Sequence, residues 1–458
     1  MLGTRKTHRA VVLVVLSLLL ALTATWLGGC RDMSGNAPNG VTLGISRRPP
    51  GAVSGARPLA SVPGYRPNGP ARLDKQYYLI DGYTGPDSID LRGYDLSALD
   101  LRDREQDLLR ADFDTDTRWP DKLPPYFDPA GLMDIGRNPG LGLRALHARG
   151  FTGGGIGVAV IDRPLLLDHS EFAGRIKHYE ELHCADVTAD AHGTMAASII
   201  AGQTTGVAPG ADIYYIAVTP GEEAADGFQL DLSPLARALD RVMEINRALP
   251  EANRIRTVYV GPGWDLRTDT YWEGQQSEIG SGRWFYAPGY LDLRQSAFAA
   301  TREGILVAFS GLDDLYGFGL DGMERNPLSD PDDPAVYAGE RRRTDFRLRP
   351  GRKAGSGAPP LLVPMNSRTV ASATGLESYT FLRDADWDSC LAYLAGLYAL
   401  ACQVDPGITP VRFAKTAART ADIIPFWPDF QGGGPWRAFK VNPAKLMEAL
   451  GAPAAPGP

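Results

Sequence analysis

Asp162 closes an apolar run, Gly157–Asp162, and His192 opens a stretch of helical spacing thirty residues later. A carboxylate at the end of a buried strand emerges at the carboxyl edge of a parallel sheet, where open α/β folds bind ligands. A carboxylate paired with one imidazole nitrogen fixes the tautomer and stabilises the charged ring, so the two residue types together serve acid–base chemistry. Taken singly, Asp162 reads as a turn or cap aspartate and His192 as a structural histidine at a helix start. Asp388, Ser389 and Cys390 lie together at the start of a strongly apolar helix. Asp388 suits an N-cap there. Asp162, His192 and Asp388 are also a ligand set for a divalent metal. Cys390 offers a thiol nucleophile, although nothing in its surroundings marks it as activated. His183-Cys184 with Asp186 and Asp190 has the composition of a metal site, but a loop with chance polar residues is the better reading.

The elements that must position these groups alternate in type. Strands are expected over Gly155 to Asp162, Ile213 to Val218, Thr257 to Val260 and Ile305 to Phe309. Helical spacing covers His192 to Gln203, with Met195, Ile199 and Ile200 on one side, and Leu291 to Arg302. Leu235, Leu239, Val242, Met243 and Leu249 follow the same period after a predicted Ser233 N-cap and Pro234 at the first helical position. Trp387 to Val404 and Pro410 to Thr420, the latter capped by Thr409, complete the helices, and Leu312 to about Leu361 reads as a long loop. Strands alternating with helices imply an α/β fold, a mostly parallel sheet with helices on both faces.

The motifs are more specific than the pattern. Gly157-Val-Ala-Val-Ile-Asp162 followed by His169-Ser-Glu-Phe172 is similar to the aspartate motif of the subtilases, the subtilisin-like serine peptidases. His192-Gly-Thr-Met-Ala-Ala-Ser198, Gly206-Val-Ala-Pro-Gly-Ala211 and Tyr215-Ile-Ala-Val218 resemble the histidine motif and the strand beyond it. Leu394-Ala-Gly-Leu-Tyr-Ala-Leu400, Pro406 and Thr409-Pro410 resemble the helix after the nucleophile and the segment that follows. The resemblance spans about residues 140 to 445 and keeps the order Asp, His, nucleophile. It implies a subtilisin-like fold, an Asp162–His192 dyad and serine endopeptidase chemistry without a cofactor or a catalytic metal.

Two departures qualify that chemistry. Subtilases carry Gly-Thr-Ser-x-Ala-x-Pro before the Ala-Gly that Ala395-Gly396 matches. Counting back without a gap sets Asp388 in the serine's place and Ala392 in the proline's. Ser389 is one residue late, about 100° round a helix, and reaches His192 only if the loop slips. Asp384 to Trp387 also lacks the usual glycines. At the oxyanion position the family's Ala-Gly-Asn reads Ser310-Gly311-Leu312, and Leu312 carries no donor. Losing such a donor costs about 3 kcal/mol, and losing the nucleophile costs far more. With Asp388 beside it, His192 faces two carboxylates, which favour the protonated ring and make it a poor general base. Val258-Tyr-Val-Gly-Pro-Gly263 also departs from the family's Asn-Met-Ser-Leu-Gly pattern.

The remainder of the 458 residues frames this domain, expected over 140–450. Residues 1–30 have a basic start (Arg5, Lys6, Arg9), an uncharged apolar run from Ala10 to Leu27, then Leu-Gly-Gly-Cys30. They resemble a bacterial lipoprotein signal, which implies lipidation of Cys30; a plain signal peptide or membrane anchor is the alternative. Losing the three basic residues, with no acidic ones, takes the formal net charge from −7 to −10. Such a charge offers no attraction to an anionic leaflet, so only the lipid would tether the chain. Residues 31–75, rich in Gly, Pro, Ser and Arg, read as a flexible spacer. In 76–139 the pairs Asp90-Leu91, Asp95-Leu96 and Asp100-Leu101 recur every five residues. The period resembles that of pentapeptide-repeat coils, but three copies are few for a solenoid, and a small capping segment is expected. No basic stripe supports nucleic-acid binding. Cys184, Cys390 and Cys402 are an odd set; Cys390 and Cys402 lie about 18 Å apart along one helix and cannot bridge.

Two functions are therefore expected. One is an envelope lipoprotein, at the periplasm or cell surface, whose impaired subtilase cleft binds a peptide or protein. The other is an active serine endopeptidase using Asp162, His192 and a register-shifted Ser389.

Overall fold

The computed structural model describes residues 69–70, 89–184, 189–224, 227–261, 288–309, 312–337, 360–383, 385, 387–426 and 436–454. Residues 1–30 with Cys30, nearly all of the spacer, and Ser310, Gly311, Asp384 and Asp386 lie outside them.

Five strands form the central sheet: β1 (Gly157–Asp162), β2 (Ile176–His183), β3 (Asp212–Val218), β4 (Ile255–Val260) and β5 (Leu306–Ala308). All pair in parallel, in the order β5-β4-β1-β3-β2. After β1 the chain fills one side of the sheet with β2 and β3, then crosses to the other side for β4 and β5. Four helices cover it: α1 (Ala191–Ala201), α2 (Ser233–Ala248), α3 (Tyr290–Arg302) and α4 (Trp387–Val404). Every residue of β1 is buried, because both faces are covered. The two-residue period of a strand sorts its side chains. Val158 and Val160 join the core that holds α1 and α4, and Ala159 and Ile161 join the core under α2 and α3. Asp162 is in phase with Val158 and Val160, so it falls on the face of α1 and α4.

α4 is apolar all round because it is enclosed all round; Asp388 through Cys402 are buried without a break. Gly396 lets it approach α1 and the chain after α1, since a Cβ there would sit 2.6 Å from Val207 Cβ and 3.0 Å from the Ile200 carbonyl. Cys184, Cys390 and Cys402 are buried and form no disulfide among the described residues, and burial pushes Cys402 up to about 12.

Several expectations are corrected. β2 is not among the expected strands, because Lys177, His178, Glu180 and Glu181 hide its period; yet His178 and Glu180 are buried and bonded to each other at 3.1 Å. The expected Ser233 cap is instead the first residue of α2, and Asp231 accepts its amide at 2.8 Å. The long loop after Leu312 contains a short helix (Leu312–Tyr316) and a strand (Leu320–Met323). That strand pairs with Leu361–Pro364, which is joined in turn by Trp436–Lys440 and Asp422–Phe426.

The five-residue repeat builds a small ladder. Leu91, Leu96 and Leu101 are buried, and their amides donate to the carbonyls of Asp112, Arg118 and Lys122 at 2.8, 2.8 and 2.9 Å. Asp90, Asp95 and Asp100 each accept the amide two residues on, closing three like turns. Strand Ala111–Asp114 carries the ladder onto the main domain by antiparallel pairing with Tyr379–Leu382, where Phe113 stacks on Phe381 at 4.9 Å between ring centroids.

Candidate active site

The α1 terminus is assembled from its own cap. Asp190 stands at the N-cap, and its side chain accepts the His192 amide at 2.8 Å. Thr194 Oγ1 donates to the Asp190 carbonyl at 2.8 Å and accepts the Leu166 amide at 3.2 Å, tying the first turn to the loop after β1. Gly193 permits that approach, since a Cβ there would collide with the Tyr215 hydroxyl and the Arg163 carbonyl. Those two groups are hydrogen bonded to each other, with the phenol donating. Arg163 also pairs with Asp190 at 3.5 Å. His192 is thereby fixed in the first turn of α1, with its ring against the end of β1.

Asp162 is fully buried; its Oδ1 accepts the Arg163 amide at 2.7 Å. His192 Nδ1 lies 2.8 and 3.0 Å from the two Asp162 oxygens, and Nε2 lies 3.1 Å from Asp388 Oδ2. The side chains of His192 and Asp388 are 19% and 11% exposed. An ionised carboxylate only accepts, and only the imidazolium has two N–H groups. The geometry therefore matches a protonated ring. Burial alone would lower the His192 pKa, but the charges and hydrogen bonds of Asp162, and then of Asp388, outweigh it and hold the pKa well above its usual value. A ring that keeps both protons has no lone pair with which to take one from a nucleophile.

Asp388 lies inside the first turn of α4, one residue past the helix start at Trp387, and not at the cap position proposed from sequence. The positive end of the helix favours its carboxylate there. Ser389 is fully buried, and among the described residues its Oγ has no hydrogen-bond partner. Leu312 is 2% exposed and packs as hydrocarbon in the core of α1 and α4. Cys390 is buried further into α4. The two carboxylates stand at opposite edges of the imidazole ring, so the three groups do not converge on one point. Among the described residues no set of three His, Cys, Asp or Glu is grouped to hold a metal ion. His183 ends β2 and Cys184 is buried beside it; part of the chain between Cys184 and Asp190 lies outside the described residues.

Gly193, Tyr215 and Arg163 carry no sign of a positioning role in the sequence alone, and Asp190 reads there as a chance loop aspartate. The spacing Asp-Ala-His before a helical run was the available sign, since an aspartate two residues ahead accepts the histidine amide as an N-cap.

A central parallel strand ending in Asp162, a helix opening with His192 and a buried helix whose first turn faces that ring define a subtilisin-like α/β domain. The sequence model of the subtilase family matches residues 153–339. Over those residues the chain is similar to that family, and the fold is subtilisin-like. No curated protein matches the chain. Among solved structures it is similar to the prenylagaramide maturation protease PagA, at 18% identity and a TM-score of 0.40 over 68% of this chain and 98% of that one. It is also similar to a cold-adapted subtilisin-like serine proteinase, at 16% identity and 0.38 over 64% of this chain and 90% of that one. A third likeness is to the A-subunit of the AB5 toxin from E. coli, at 16% identity and 0.40 over 71% and 99%.

Proposed function

We propose that this subtilase domain has given up acyl transfer and binds an extended peptide or a partner protein along the former substrate cleft. The observation that carries the reading is His192 held between Asp162 and Asp388, at 2.8 and 3.1 Å. The nucleophile's place beside the imidazole is occupied by a carboxylate that stabilises the charged ring. The enclosed, unpartnered Ser389 hydroxyl and the hydrocarbon of Leu312 at the oxyanion position support the same reading. The chain is tethered to the cell envelope by a lipid on Cys30, with 31–75 as spacer; the support is the apolar run ending in Leu-Gly-Gly-Cys30.

Fluorophosphonate labelling of the folded chain lacking residues 1–30, beside H192A, tests the catalytic claim. No labelling is expected. Labelling that maps to Ser389 and disappears in H192A would establish a working triad in a shifted register and sink the proposal. For the tether, metabolic palmitate labelling is expected in the whole chain and absent from C30S, which partitions with the soluble fraction.

A further inference from the structure

Two arginines are buried behind α4, and they are treated differently. Arg325 is 2% exposed, and its guanidinium donates to the carbonyls of Asn326, Pro327, Ser329 and Ser367. Its charge is spread over four dipoles. Arg368, in strand Arg368–Ala371, is 4% exposed, and its Nη1 is sealed from solvent with no hydrogen-bond partner among the described residues. Its guanidinium carbon lies 5.8 Å from the centroid of the Tyr393 ring. Among the described residues no carboxylate forms an ion pair with it. The groups whose charge it feels are Tyr393, Tyr337 and Cys390, with Arg325 a further cation, and burial works against its proton.

A buried cation without a hydrogen-bonded counter-charge costs several kcal/mol. Other orphaned polar groups lie on the helix whose Tyr393 ring it faces and on Asn366, two residues before it in the chain. Tyr393 is fully buried with an unpartnered hydroxyl, and Ser389, one turn earlier on the same face of α4, is the same. Asn366 is 4% exposed; its Oδ1 accepts the Arg325 amide at 3.0 Å, while its Nδ2 has no partner. Arg368 Nη1, Tyr393 Oη and Asn366 Nδ2 can all donate, and none of these atoms has an acceptor among the described residues. A carboxylate could satisfy them, but Asp330 and Asp332, which act electrostatically on Tyr337, are engaged elsewhere. Asp330 accepts the Asp332 amide, and Asp332 accepts from Asn138 and Gly142.

We infer that Arg368, with Tyr393 and Asn366, holds a small monovalent inorganic anion of the halide class behind α4. A halide accepts several donors at once and neutralises the guanidinium in one step. Arg368, Tyr393 and Asn366 are not among the residues of the Asp162–His192–Asp388 cluster, and the inference does not rest on the function proposed for it. Its role is structural, joining strand Arg368–Ala371 to the helix that carries Asp388.

Diffraction from full-length protein crystals grown in sodium bromide, recorded at the bromine edge, tests the inference. An anomalous peak within hydrogen-bonding distance of Arg368 Nη1 is expected; a water at that place with no anomalous signal would overturn it. In solution, replacing gluconate by bromide at constant ionic strength should raise Tm by about 3 °C when bromide stands one hundredfold above its dissociation constant. R368M should abolish the shift, and Y393F should move it to higher bromide. A Tm indifferent to the anion in the native protein would also overturn the site. If R368M does not fold, the diffraction result on the native protein decides.

Discussion

Replacing Asp388 by asparagine removes one charge and little else. The amide is isosteric with the carboxylate, so His192 Nε2 keeps a partner near 3.1 Å. Two unit charges at that distance attract by about 5 kcal/mol at an effective dielectric of about 20. Partial exposure of His192 and Asp388, at 19% and 11%, argues for less. Opposite charges this close move a pKa by about 1–3 units. A fall of about 2 units in the His192 pKa is therefore expected for D388N, or about 3 kcal/mol between the two protonation states. D162N should lower it further, because Asp162 contributes the larger share. The folded pKa of His192 lies above its unfolded value near 6.5. Its ionic contribution to stability is thus complete below about pH 6.5 and is lost as pH rises through the folded pKa. In D388N that loss is smaller and finishes at lower pH. Two-dimensional NMR of the imidazole carbons, with H192A to assign the signal, reads the pKa directly, and urea midpoints from pH 5 to 9 read the linkage. A His192 pKa in D388N within about 0.3 unit of the native value would refute the claim that Asp388 holds the imidazolium.

Gly193→Ala should cost about 1–3 kcal/mol, because the new methyl meets the Arg163 carbonyl, which cannot rotate aside; the denaturation midpoint checks this, and the His192 pKa should fall with it. D388S should take up fluorophosphonate at the substituted position, yet its peptide turnover should stay about 10²–10³-fold below that of the same variant given an oxyanion donor in place of Leu312; equal turnover in the two would show that the donor is supplied elsewhere. Phe113→Ala, which empties the contact with Phe381, should destabilise by about 3–5 kcal/mol in urea unfolding monitored over the whole domain. A separate early transition in that variant, leaving the central sheet intact, would show that the N-terminal ladder unfolds on its own.

The central strands and their helices were legible in the sequence because burial on both faces leaves continuous apolar runs such as Val158–Ile161, and enclosure leaves an apolar helix such as Leu391–Cys402. Asp162 and His192 were legible because each sits at the end of such a run, where a polar residue has a reason to be. β2 was not, since Lys177, His178, Glu180 and Glu181 break its period, and the pairing of His178 with Glu180 and of Glu180 with Arg241 makes the burial of His178 and Glu180 tolerable. Nor was the ladder from 89 to 122 more than a repeat of Asp-Leu pairs until the carbonyls of Asp112, Arg118 and Lys122 met it. The identity of residue 388 is a fact of the sequence. That its carboxylate reaches Nε2 while the Ser389 hydroxyl turns into the protein depends on where α4 begins and how closely Gly396 lets it lie against α1. Helix phase and packing distance are set by contacts between segments some two hundred residues apart, and no local pattern encodes them.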